Sequence, residues 1–162
     1  MGSKKENPNW IVGIKGDFVM EIYIKVFEKM EFFCSTKLIE IIKGVSQEEC
    51  DDILDSRDCD EFSSKWMEIY DEVRENLKNS TVDTCYTQKI ESLRERTFKA
   101  IFEHSQSSDL AAYLSDDLAL LLEAVLCDIN NSWLNGLWKE YCAGKIPCGK
   151  ILLVDGRLDQ LI

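Results

Sequence analysis

Apolar residues recurring at steps of three and four constrain this chain more than any other feature. Val19, Ile22, Tyr23, Val26, Phe27, Met30 and Phe33 keep that step, as do Phe62, Trp66, Ile69, Tyr70, Val73 and Leu77. Further along, Ile90, Leu93, Thr97, Ile101 and Phe102 repeat it, followed by Leu118, Leu121, Leu122, Val125, Leu126 and Ile129. A period near 3.6 gathers such residues on one face of an α-helix, and burying that face requires other helices. With only 2 Pro and 8 Gly in 162 residues, the chain lacks the turn material of a many-stranded sandwich or barrel. The predicted fold is therefore mostly all-α: a single-domain bundle of about six to seven helices with a short extended C-terminal segment.

Capping signals set the expected boundaries. The first helix is predicted over about 17–34, with Asp17 as N-cap; the alternation of Ile22, Ile24 and Val26 with Glu21, Tyr23 and Lys25 leaves a strand as the competing reading. A short helix over Lys37–Lys43 is closed by Gly44. Ser46 followed by Glu49 is a capping box, opening a helix to about Asp55. Helices over 61–78 and 84–104 follow. Ser115-Asp116-Asp117 reads as the cap of a helix reaching Ile129, and Asn131 or Ser132 as the cap of one over Trp133–Tyr141, stopped by Gly144 and Pro147. The β-like run Ile151–Val154 before Asp155-Gly156 gives the extended tail. Residues 1–162 read as one domain, with 1–9 disordered and no repeat or linker.

Seven cysteines, an odd number at irregular spacing, do not make a disulfide framework. Behind Lys4-Lys5 there is no apolar signal-peptide core, so the expectation is a cytoplasmic protein with reduced thiols, Cys127 packing as a small apolar residue. No apolar run approaches the roughly 18 residues that span a bilayer, and no membrane partner is expected.

Catalytic schemes are hard to place. The single histidine, His104, sits at a helix end where its charge suits the macrodipole. No glycine-rich phosphate loop and no CxxC pair occurs, so neither cofactor nor metal is expected. The acidic stretch Asp51–Glu61 lacks the central glycine and closing glutamate of a calcium loop. The chain reads as a binding protein and not an enzyme.

Charge is unevenly distributed. The net charge is −11, and residues 46–80 hold twelve acidic against four basic side chains, while 106–135 hold five acids and no Lys or Arg. Two acidic helical regions on one side would repel nucleic acid and attract a basic protein surface, mainly by speeding association. The candidate partner-binding residues are Asp51, Asp52, Asp55, Asp58, Asp60 and Glu61 in the first region and Asp116, Asp117 and Asp128 in the second. Trp133, partly off the stripe of its own helix, is the candidate aromatic anchor, with burial in the core as the alternative.

Ser115-Asp-Asp-Leu-Ala-Leu-Leu-Leu-Glu-Ala, then Trp133-Leu-Asn-Gly-Leu-Trp, Tyr141 and Gly144-Lys-Ile-Pro, resembles the C-terminal helices of small bacterial immunity proteins, including those of contact-dependent growth inhibition. That resemblance, over about 35 residues, implies a cytoplasmic helical inhibitor that binds a toxin domain, often a basic nuclease, and masks its active site. It transfers no binding residues, because such interfaces vary from pair to pair. The leading expectation is a stoichiometric inhibitor of a basic protein; the alternative is a helical adaptor that binds a partner helix.

Overall fold

A computed structural model describes the backbone of residues 9–162 and side chains from residue 16 onward. Among the described residues the chain is all-α, with no strand. The helices are α1 (Asn9–Ser35), α2 (Lys37–Lys43), α3 (Gln47–Asp58), α4 (Asp60–Asn79), α5 (Thr84–Ser105), α6 (Ser108–Leu126), α7 (Ser132–Cys142) and a final turn, α8 (Leu158–Leu161). Of the stretch expected to be disordered, residues 1–8 lie outside the described residues, and Asn9 opens α1.

In α1 the helical reading holds against the strand: Tyr23, Val26, Met30 and Phe33, at steps of three, four and three, are buried. The helix starts before Asp17, which lies inside it and is not its cap. Gly44 ends α2 in ordinary right-handed geometry, φ −84°, so no left-handed cap is formed there. Ser46 and Glu49 complete the capping box of α3, the Glu49 amide donating to Ser46 Oγ at 3.2 Å and the Ser46 amide to Glu49 Oε2 at 2.8 Å. Cys59 alone, in extended geometry, separates α3 from α4. That break lets α4 turn Phe62, Ile69 and Val73 inward.

Two residues, Gln106 and Ser107, join α5 to α6, with Gln106 left-handed at φ 56°. The two helices form a closely packed hairpin. Ser107, not Ser115-Asp116-Asp117, caps α6: its hydroxyl accepts from the Leu110 amide at 3.2 Å. The expected cap lies in mid-helix because the chain has already turned helical seven residues earlier, carried by buried Leu110, Ala111 and Leu114. From Asp117 to Leu126 every residue of α6 is buried, so it is the axis on which the other helices pack.

Asn131 caps α7 by accepting from the Trp133 and Leu134 amides at 2.9 and 3.2 Å. The tail between α7 and α8 is irregular and forms no strand. Asn135 Nδ2 donates to the carbonyls of Val154 and Gly156, both at 2.9 Å, and the Val154 amide to Ser132 O at 3.0 Å. Gly136 permits this approach: a Cβ there would stand 2.0 Å from Leu152 O.

Candidate functional site: an acidic groove over the sixth helix

Tyr113, Asp116, Leu120 and Glu123, at steps of three and four, form the stripe of α6 that floors a groove. The end of α3 and α4 make one wall above it, and α5 supplies Glu91 and Arg94 opposite. Two adjoining clefts result. The first, of about 200 Å³, is lined by Arg57, Asp58, Phe62, Ser63, Trp66, Met67, Tyr113 and Asp116. The second, of about 430 Å³, shares Trp66, Met67 and Asp116 and continues to Tyr70, Arg74, Glu91, Arg94 and Glu123. Trp66 and Tyr70, one helical turn apart, stack at 5.1 Å and 16° along the wall.

A buried ionic network holds the wall in place. Asp117 accepts from Arg57 Nη2 at 2.7 Å and Nη1 at 3.0 Å, from Trp66 Nε1 at 2.8 Å and from Tyr141 Oη at 2.7 Å. The Arg57 side chain also donates to Pro147 O at 2.7 Å and lies 4.4 Å over the Phe62 ring. Burial opposes the Arg57 charge, but the Asp117 carboxylate beside it prevails and leaves its pKa raised. Burial is the main cause of the strongly raised Tyr141 pKa, with the Asp117 charge adding to it. Thus α3, α4, α6 and α7 are tied at one carboxylate, which positions the Trp66 indole.

Two other carboxylates line the groove with less compensation. Asp116 accepts from Arg94 Nη1 at 2.9 Å, yet burial raises its pKa despite that partner. Glu123 is 6% exposed; Oε1 pairs with Arg74 at 3.2 Å and Oε2 has no hydrogen-bond partner. Burial raises its pKa too, against the pull of Arg74. At the other end the Tyr113 hydroxyl donates to Asp58, and this bond is the main cause of the raised Tyr113 pKa.

A family model for Immunity protein PIM1 matches residues 33–148, nearly three-quarters of the chain. The chain belongs to the Immunity protein PIM1 family. That span contains α2 to α7 and every residue of the groove. None of the curated proteins compared matches the chain.

Within this member of the PIM1 family, the expected site residues part company. Asp51, Asp52 and Asp55 are exposed on α3, and Asp58, Asp60 and Glu61 are exposed where α3 meets α4. Asp58 and Asp116 come together in the first cleft. Asp117, by contrast, is 0% exposed and is consumed by the Arg57 network, so it presents nothing to a partner. Asp128, at the far end of α6, pairs with Arg157 at 3.0 Å, remote from the groove. Trp133 is 6% exposed, its ring edge-on to Phe62 at 5.1 Å; it belongs to the core behind the groove and is not a surface anchor. Of the aromatic residues that do line the groove, Trp66 and Tyr70 belong to an apolar stripe in the sequence, and Tyr113 lies before the expected start of its helix. One signal could have separated them: Met67, off the buried positions of α4, lies beside Trp66 and is about half exposed.

Proposed function

We propose that this chain neutralises a toxin domain by binding it, performing no chemistry of its own, with the groove over α6 and the exposed faces of α3 and α4 as the contact surface. The partner is a basic protein, most concretely a nuclease whose phosphate-binding surface the carboxylates occupy. Membership of the PIM1 family supports the immunity role. The observation that carries the basic partner is the charge of α3 and α4: their twelve acidic side chains are all exposed, while only three of their four cations, Lys65, Arg74 and Lys78, reach solvent. The fourth, Arg57, is neutralised internally by Asp117.

Among the described residues no helix is long and apolar enough to cross a membrane. The proposed encounter takes place in the cytoplasm, where a nuclease would find its substrate. The test is co-expression with the toxin domain encoded beside the gene in its native genome, followed by binding kinetics at two salt concentrations. Protection, one-to-one binding and an association rate that falls with salt are expected. Neutralising Asp51, Asp52, Asp55, Asp60 and Glu61 together should slow association and flatten its salt dependence. Protection without complex formation, or a salt-independent association rate, overturns the proposal.

A further inference from the structure

Glu123 has no role in the network that holds the groove, yet it lies on the groove floor with one carboxylate oxygen unpartnered. A buried carboxylate oxygen without a donor is unfavourable, and native interiors seldom leave one. Charge in this part of the groove is also unbalanced: Glu91, Asp116 and Glu123 face only Arg74 and Arg94. The Trp66–Tyr70 stack supplies an aromatic wall of the kind that accepts a cation and the methylenes of its stem, and the Arg74 guanidinium lies 4.9 Å over its Tyr70 ring. Among the described residues no three His, Cys, Asp or Glu side chains are arranged to hold a metal ion.

We infer that the groove receives a single basic side chain, Lys or Arg, from the partner, whose charged end pairs with the Glu123 carboxylate in place of Arg74, beside the Trp66–Tyr70 wall. This rests on the proposed toxin binding and names the contact that makes it tight. The exposed acids of α3 would steer the encounter, whereas an ion pair at Glu123 would be desolvated and govern dissociation. Among the described residues three other buried atoms are also without a partner: the Tyr23 hydroxyl, Arg57 Nε and Asn135 Oδ1. The Tyr23 hydroxyl belongs to α1 and makes no hydrogen bond to Glu123, although the nearby Glu123 charge adds to the burial that raises its pKa.

The probes are N-acetyl-argininamide and N-acetyl-lysinamide, with N-acetyl-norleucinamide as the uncharged control, titrated into the whole protein and followed by the Trp66 indole N–H and the α6 amides in NMR spectra. Saturable shifts with one or both cationic probes and none with the control are expected. Glu123→Gln should weaken this binding at least about tenfold, as loss of a desolvated charge contact requires. Arg74→Gln should strengthen it, because Glu123 then loses its internal competitor. Asp51→Asn and Tyr23→Phe should leave it unchanged.

Absence of saturable shifts, equal weakening by Asp51→Asn, or weakening by Arg74→Gln would each overturn the inference. If Tyr23→Phe matches Glu123→Gln, the carboxylate serves Tyr23 and the inference also fails. With the toxin domain, Glu123→Gln should raise the dissociation rate about 30-fold or more. Wild-type dissociation kinetics in that variant would sink the cation contact and leave toxin binding intact; a wild-type protein that binds no toxin would sink the proposed function, and the titration would still decide the groove.

Discussion

Replacing Asp117 by Asn tests whether the Arg57 network organises the groove. The Arg57 and Asp117 side chains are 4% and 0% exposed, and each Asp117 oxygen accepts two hydrogen bonds, one of them from the guanidinium. Asparagine keeps the shape but removes the charge, and its NH2 group would face two donors in place of an acceptor. Arg57 would then be buried without a counter-ion. Breaking one side of such a pair costs about 3–5 kcal/mol, a large part of the roughly 5–15 kcal/mol that holds a domain together. At about 2–4 °C per kcal/mol for a chain of this size, the melting temperature should fall by about 6–20 °C. With a urea slope near 2 kcal/mol per molar, the midpoint should drop by about 1.5–2.5 M. The double variant Arg57→Met with Asp117→Asn, which removes both charges and keeps an acceptor for the Trp66 and Tyr141 donors, should be less destabilised than Asp117→Asn alone. Urea titration followed by tryptophan fluorescence measures all three proteins. A loss under about 1 kcal/mol in Asp117→Asn, or a double variant no better than the single one, would refute the reasoning.

Glu123→Gln should be at least as stable as the wild type at neutral pH, since burial holds the Glu123 pKa above its ordinary 4.5. The sign follows from linkage: above that value the folded state keeps a proton that the unfolded state has released, so wild-type stability falls as pH rises through the raised pKa. Melting curves of the two proteins should therefore diverge above about pH 4.5 and converge below it, the opposite order counting against a desolvated carboxylate. Gly136→Ala should cost about 1–3 kcal/mol by forcing the Ile151–Leu152 backbone off α7, read as a lower melting temperature with faster proteolysis at Leu152–Leu153. Thiol labelling should modify Cys59 first, then Cys85 and Cys142, whose pKa values burial raises. Cys34, buried with its pKa pushed up to about 12, and buried Cys50 should react only on unfolding.

Helix type was legible wherever one face carries the burial. In α4, Phe62, Ile69 and Val73 are buried at the spacing the sequence displays, and the Ser46–Glu49 box marks its helix because a cap is made by neighbours in the chain. The start of α6 was not legible, for a physical reason. Ser and Asp before an apolar run satisfy free helix amides, which is what Ser115-Asp116-Asp117 suggests; but the same residues can sit in mid-helix when distant partners satisfy them. Asp117 does so through Arg57, 60 residues away. Trp133 misled similarly, since Phe62, the residue that covers it, belongs to another helix.

Counting charge along the sequence treats every Asp and Arg as though it faced water, and the groove shows where that fails. Arg57 and Asp117 cancel inside the fold, so the count of twelve acids against four bases understates the negative surface of α3 and α4 by one charge, while the second acidic region loses Asp117 to the interior. Asp128 is offset by Arg157 and stands at the opposite end of α6. What remains of the second region near the first is Asp116 and Glu123, both lining the groove and both with pKa values raised by burial. The two regions thus meet, but through different physics: exposed carboxylates on α3 and α4 act at a distance and are screened by salt, whereas those on the floor act only on a group that enters and is desolvated with them. The proposed binding mode therefore divides long-range attraction and tight retention between different residues, and predicts that the ratio of on-rate to off-rate effects across Asp51, Asp55, Asp116 and Glu123 variants ranks them in that order.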